Sequence, residues 1–304
     1  MTGSVAIAIS AFRSDIAVIS LLEVIFSDPH PEVRSVIVVD SLGSGVIAEI
    51  AAARHWKLQY ENMDTNIGSA GNLARRMELA AETGAKWCLC LNHDANWEAG
   101  RLSAMLSAGR SLPRVGAVYP VLDHSPREPR WEDGRRHFRP SAGTRVSNIP
   151  SNELTAEVLW SSSNSALYSL APLAENITVM SELWMGYEDL AYGFALYQGN
   201  WIQLSCRSAR LSKVFDYIPR RFLGRTLHIH DKPDWYSYYN IRNLILIWRQ
   251  YGSKCVSLRT ILWKLVQTII RILLLEDTKM NRLKMLYLGT LAGIFNKNGK
   301  GRYP

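Results

Sequence analysis

LCLNHDANWEAG, Leu89 to Gly100, is the stretch on which the architecture turns. Its apolar start belongs to WCLCLN (87–92) and reads as a buried strand. Its polar end, Asn92-His93-Asp94, hands over to a helix. The same unit recurs upstream. VAIAIS (5–10), SVIVVD (35–40) and WKLQY (56–60) have strand character, and Asp15–Ser27, Ser44–His55 and Gly68–Thr83 between them have helical spacing. Strand-helix alternation predicts an α/β fold with a mostly parallel sheet covered by helices. In such sheets ligands bind at the carboxyl ends of strands, where Asp40 and Asp94 both fall.

Downstream the pattern changes twice. VGAVYP (115–120) is a further strand, followed by an irregular Pro-, Arg- and Gly-rich stretch over 122–150. A connection of that length is either a functional loop or partly disordered. AEVLWSSSNSALYSL (156–170) returns to strand-like character, and from Trp235 the pattern is helical to the end. Two regions are predicted: residues 1–233, and a basic helical region at 234–304.

The 304 residues carry 47% hydrophobic and 20% charged side chains, ordinary for a folded globular chain. The net charge of +8 is uneven. From Ile241 to Pro304 there are twelve Lys or Arg against two acids, so the tail holds +10 and the first 240 residues hold −2. Such asymmetry points to an anionic partner, lipid or nucleic acid. On a helical wheel of Val256–Leu275, the residues Ser257, Thr260, Lys264, Gln267, Thr268 and Arg271 share one arc of about 100°. Most of the rest is aliphatic, which suits a lipid surface or another helix. No charge-free run approaches the ~18 residues that a spanning helix needs. Cys88, Cys90, Cys206 and Cys255 lack zinc spacing and suggest no disulfide framework, which favours a cytoplasmic chain. MTGSVAIAIS reads as a first strand rather than a signal peptide.

Four segments carry chemistry, and each has a plain structural reading beside it. NIGSAGNLARRMELA (66–80) opens a helix with two glycines; it is a simple turn, or a place where a phosphate or sugar approaches the backbone. Asp94 offers one hard oxygen to a divalent cation, or caps the following helix. ELWMGYEDLAYGFALYQGN (182–200) puts Glu188 and Asp189 in a helix first turn, which complements the dipole or positions a general base. In LHIHDKPDWYSYYNIRN (227–243), His228 and His230 share one face of a strand, as a surface pair or as part of a metal shell.

Taken in order, these segments resemble the family-2 inverting glycosyltransferases of GT-A fold, most of all bacterial galactofuranosyltransferases and rhamnosyltransferase-like enzymes. The resemblance covers roughly Val5 to Asn243. NIGSAGNLARRMELA is similar to the glycine-rich donor segment, LCLNHDA to the metal motif, GYEDLAYGFAL to the base segment, and HIH with DWYSYYNIRN to the histidine and aromatic-Arg-Asn segment. It implies a three-layer GT-A sandwich with a C-terminal helical extension. It also implies a nucleotide-diphosphate sugar donor and a glycan or lipid-linked acceptor. Donor-side residues would be Asp40, Asn66, Gly68, Gly71, Asn72, Arg75 and Asn92; acceptor-side residues, Trp184 and Tyr187. Asp189 would be the base, with Glu188 beside it. Asp94, with His230 or His228, would hold Mg²⁺ or Mn²⁺. Asn92 stands where galactofuranosyltransferases have an acid, which predicts weaker metal binding.

A basic amphipathic tail then predicts attachment to the anionic inner face of the cell membrane. Its aliphatic stripes suit lipid better than nucleic acid. A sugar nucleotidyltransferase is the alternative on the same fold, but SAFRSD after the first strand lacks the glycine-rich loop that chemistry uses. A non-catalytic sugar-binding or scaffolding relative is the other alternative, prompted by the single acid at the metal motif.

Overall fold

The computed structural model describes residues 4–124, 154–213, 217–222, 224–230 and 232–301. The chain runs β1 (Val5–Ala11), α1 (Asp15–Ser27), β2 (Val33–Ser41), α2 (Val46–Ala53), β3 (Leu58–Met63), α3 (Gly68–Glu82), β4 (Trp87–Asn92), α4 (Ala99–Arg110) and β5 (Val115–His124). After the irregular stretch, nearly all of which lies outside the described residues, come β6 (Thr155–Glu157), β7 (Ala166–Ser169), α5 (Ala171–Ala174) and α6 (Glu188–Gln198). Then follow β8 (Ile202–Lys213), β9 (Tyr217–Phe222), β10 (Arg225–His230), α7 (Tyr236–Tyr251), α8 (Leu258–Leu275) and α9 (Lys279–Ile294).

Eight strands form one sheet in the order β3-β2-β1-β4-β7-β5-β8-β6. The β1/β2, β2/β3, β1/β4 and β5/β8 pairs are parallel. Short β7 lies antiparallel between β4 and β5, and β6 antiparallel on β8. The sheet is thus mostly parallel, as the strand-helix alternation predicts. AEVLWSSSNSALYSL resolves into β6 and β7 with an irregular serine-rich turn between them. Strand β8 has no counterpart in the sequence reading. It buries Gln203 and Ser205 as well as Leu204 and Cys206, so no apolar run announces it.

The parallel strands are apolar on both faces because helices cover both. Ile7, Ile9, Val36, Val38, Leu89 and Leu91 pack toward Val18 and Leu22 of α1 and Leu102 and Met105 of α4. The alternating set, Ala6, Ala8, Ile37, Val39, Cys88 and Cys90, faces Leu73 and Met77 of α3 and the buried tyrosines 119, 168 and 192. All four cysteines are buried free thiols. A third cluster joins Leu183, Leu190 and Phe194 to Ile241, Leu244 and Ile247 of α7, Ile261 and Ile272 of α8, and Leu286 of α9. The helices after Trp235 therefore share a core with the element that carries Asp189.

Candidate active site

The site is built on the carboxyl ends of β1, β2 and β4. The chain order reverses there, since β1 pairs with β2 on one side and β4 on the other. Register sets Ala11 beside Asp40 and Ser10 beside Asn92. Asp40 is fully buried, and its Oδ2 accepts from the Tyr60 hydroxyl at 3.0 Å. Burial raises its pKa above the ordinary carboxylate value, with the Asp15 charge adding to the rise and the Tyr60 bond opposing it. Its Oδ1 is buried with no hydrogen-bond partner among the described residues. Beside it, Arg13, Asp15, Ile16, Leu42 and Ser44 line a cleft of about 630 Å³. The sequence reading gave none of these residues a ligand role, although Arg13 and Asp15 lie just past β1 at the edge where ligands bind.

The glycine segment does structural work that its sequence does not reveal. The Asn66 Oδ1 accepts from the Gly68 N–H at 2.9 Å. Gly68 has φ +70°, and a Cβ there would lie 2.0 Å from the Trp184 carbonyl oxygen. The Ala70 N–H donates to that same oxygen at 3.1 Å, and the Trp184 indole N–H donates to the Asn66 carbonyl at 3.1 Å. A Cβ on Gly71 would meet Ile67 first, at 3.1 Å. Asn72 is buried and donates to the Val39 carbonyl at 2.9 Å, bracing the end of β2. Of the two arginines that follow, Arg75 points outward and pairs with Glu61 at 2.9 Å, with Glu78 and Glu82 nearby. Arg76, four residues after Asn72 and so on its face, is the one that turns inward. It donates to the Ala8 carbonyl at 3.2 Å and the Leu91 carbonyl at 3.0 Å, under the strand ends.

The acidic pair, at the start of α6, follows a strained loop. Trp184 (φ 58°), Gly186 (φ 88°) and Tyr187 (φ 67°) all adopt left-handed backbone, a conformation costly for the two aromatics. Asn243 on α7 over-determines it. Its Nδ2 donates to the carbonyls of Leu183, Met185 and Gly186, while Arg242 donates to Leu183 and, by its Nε, to the Asn243 Oδ1. Trp184 is 4% exposed, packed against Tyr239 and Trp235. It is therefore a buried pin between the glycine segment and α7, whereas the resemblance placed it on the acceptor side. Tyr187 is half-buried and donates its hydroxyl to Asn240 at 3.1 Å.

Asp189, the second residue of α6, is half-buried. Desolvation first, and the neighbouring Glu188 second, lift its pKa to about 7, against stabilising backbone N–H bonds from Leu190 and Ser163. Glu188 has a buried Oε2 with no hydrogen-bond partner among the described residues. Next to Ser163, the Asn164 side chain accepts from the Asn92 N–H at 3.4 Å. The turn at 163–164, invisible as chemistry in the sequence, thus ties the base to the end of β4. The tyrosines 119, 168, 187 and 236 all lie within reach of the Asp189 charge.

For a divalent cation, the described residues offer exposed Asp94, just past β4. The Asn92 Oδ1 accepts from Ser10 at 3.3 Å. The backbone of His228 and His230 lies in β10, paired with β9, while their side chains fall outside the described residues. No group of three His, Cys, Asp or Glu gathers among the described residues. One exposed carboxylate fits a hard cation that takes its other ligands from donor oxygens and water.

No family model matches the chain, and no curated protein matches it. Among solved structures it is similar to the mannosyltransferase PcManGT from Pyrobaculum calidifontis in complex with GDP-Man and Mn²⁺. That match has a TM-score of 0.58 and 12% identity over 97% of this chain and 88% of that one. S. aureus TarS 1-349 in complex with UDP-GlcNAc matches at a TM-score of 0.52 and 14% identity, over 97% and 73%. GalNAc-T7 with UDP, GalNAc and Mn²⁺ matches at 0.59 and 8%, over 96% of this chain and 57% of that one. At these identities the likeness shows the fold: an α/β sheet of GT-A glycosyltransferase type, carrying C-terminal helices.

Proposed function

We propose that this chain is an inverting family-2 glycosyltransferase. It moves a galactofuranose- or rhamnose-type sugar from a nucleotide-diphosphate donor to a hydroxyl of a cell-surface glycan or lipid-linked acceptor. The observation that carries the reading is Asp189, a half-buried carboxyl with a pKa near 7. A strained loop, tied to the ligand-binding edge of the sheet, holds it. A base poised near the working pH is what proton abstraction from an alcohol needs.

The nucleoside lies in the cleft beside Asp40, with Arg13, Asp15 and Ser44 at its walls. The acceptor enters on the side of Tyr187. Asp189 takes the acceptor hydroxyl proton as that oxygen forms its bond to the anomeric carbon. The bond from that carbon to the diphosphate breaks from the opposite face, its electron pair leaves with the nucleoside diphosphate, and the configuration inverts. Asp94, with His230 or His228, would hold a Mg²⁺ or Mn²⁺ that offsets leaving-group charge. Nucleotide-sugar complexes and Mn²⁺ are recorded for proteins of this fold, which supports the donor class and the metal.

Asp189→Asn is expected to lower kcat by roughly 10²–10⁴-fold with donor affinity nearly unchanged. A variant turning over at wild-type rate would falsify the base assignment. Asp94→Ala, and excess chelator on the wild type, are expected to weaken donor binding as well as turnover. Full turnover in chelator removes the metal from the mechanism. The single carboxylate at the β4 end also favours a second reading, a non-catalytic sugar-binding relative. Hydrolysis of sugar nucleotide without acceptor separates the two.

A further inference from the structure

Helix α8 is apolar on two sides, and only one of them is used. Ile261 and Ile272 are buried, and Leu265 and Ile269 partly so, against the core shared with α6 and α7. On the other side Leu258, Leu262, Trp263, Val266, Ile270, Leu273 and Leu274 are each 45–62% exposed. At 100° per residue these seven fall in one arc of about 160°, with Arg259 as its one charge, in the first turn. A contiguous face of this size on a folded chain marks a contact surface. Trp263, the most exposed of the set, has the amphipathic ring that favours a membrane boundary.

Charge selects the occupant. From Gly252 to Leu275 there is no acid, and Lys254, Arg259, Lys264 and Arg271 are spread along the segment. The acids that follow are neutralised: Glu276 is buried against Arg271 and Arg282, and Asp277 pairs with Arg220. Packing α8 on α8 of a second copy leaves the basic excess of this segment without a counter-charge, since the segment holds no acid. An anionic bilayer meets both features, since apolar side chains enter the boundary while Arg259 on the face and Lys254 just before the helix meet the headgroups. No described helix is long and apolar enough to cross a membrane, so α8 lies along it.

We propose that the outward face of α8, from Leu258 to Leu274, seats in the headgroup boundary of an anionic bilayer. This gives the basic tail a particular helix and a particular face. Arg271, whose charge reaches Tyr187 and Tyr236, lies about 140° round the helix from the centre of that face, so α8 turns one side toward the site and another toward the bilayer. The docking does not rest on the glycosyl-transfer reading.

The test is flotation of the full chain with phosphatidylcholine vesicles, with and without roughly one third phosphatidylglycerol. The wild type is expected to rise with the anionic vesicles only. Trp263→Glu with Ile270→Glu should lower the bound fraction by about ten-fold or more, and Lys254→Glu with Arg259→Glu should lower it with a strong salt dependence. Unchanged melting temperature in both variants shows that they fold. Wild type left at the bottom of the gradient, or a Trp263→Glu, Ile270→Glu double variant that rises undiminished, overturns the proposal. So does a wild-type dimer in light scattering that the same variant turns into monomer, because the face then belongs to a second copy. Donor hydrolysis is measured in parallel. A chain that floats but hydrolyses no sugar nucleotide keeps the docking and loses the enzyme; the converse result does the reverse.

Discussion

At Asp189, desolvation and the Glu188 charge act in the same direction and raise the carboxyl to about pH 7. Only the carboxylate can accept a proton, so kcat/KM should climb with pH on an acid limb centred near 7. Glu188→Gln removes the neighbouring charge and should move that limb to lower pH, read from a pH–rate profile. Stability has the opposite dependence. A folded pKa above the unfolded one means that the folded state holds the proton more tightly. The stability contributed by the protonated form is full below about pH 4 and is lost as pH rises through about 7. Asp189→Asn should therefore melt higher than wild type at about pH 8, with the gap shrinking as pH falls toward 4. A gap that does not change with pH would mean that the carboxyl titrates normally. The acidic pair was legible in the sequence because Glu188 and Asp189 are adjacent. The lifted pKa was not, since burial comes from residues far along the chain.

At the level of elements, the base loop depends on α7 and α3 rather than on its own residues. Asn243 satisfies three carbonyls of the loop at once. Asn243→Ala should cost roughly 1–3 kcal/mol for each of the Met185 and Gly186 carbonyls that water does not reach, since the Leu183 carbonyl keeps its bond from Arg242. Turnover should fall with it, because Trp184 and Tyr187 lose what holds their left-handed backbone. Urea midpoints together with kcat check both. Gly68→Ala places a methyl against the Trp184 carbonyl at a positive φ. It should destabilise by more than about 1 kcal/mol, and a neutral result would show that the two segments are not locked together. NIRN and the glycine segment stood out in the sequence as motifs. Their bonds to the base loop did not, because partners 57–60 positions apart for Asn243, and 118 apart for Trp184 with Asn66, leave no local periodicity.

Across the whole molecule, the helices after Trp235 belong to the folded body. Val256, Ile261, Ile272 and Leu286 close the same cluster as Leu190 and Phe194. A chain ending at Gly252 should therefore expose that cluster and elute as aggregate in gel filtration; a stable monomer would show that the tail is separable. Surface substitutions on α8 isolate the membrane contact without this damage. The composition of the tail pointed to lipid, but a wheel treats all aliphatic positions alike. Only packing divides them into an inner set led by Ile261 and Ile272 and an outer set led by Trp263 and Ile270.

By itself the sequence determined the parallel-sheet class and the strand ends that carry polar residues, because continuous apolar runs and helical spacing are local properties. It also marked Asp189 as an acid at a helix start. Tertiary structure alone decided that Arg76 and not Arg75 turns inward, that Trp184 is a buried pin, and that Asn243 holds the base loop. It decided too that α8 leaves one apolar side in the open. Each of these depends on which distant surface a side chain meets, and burial, unlike periodicity, is a property of the folded chain.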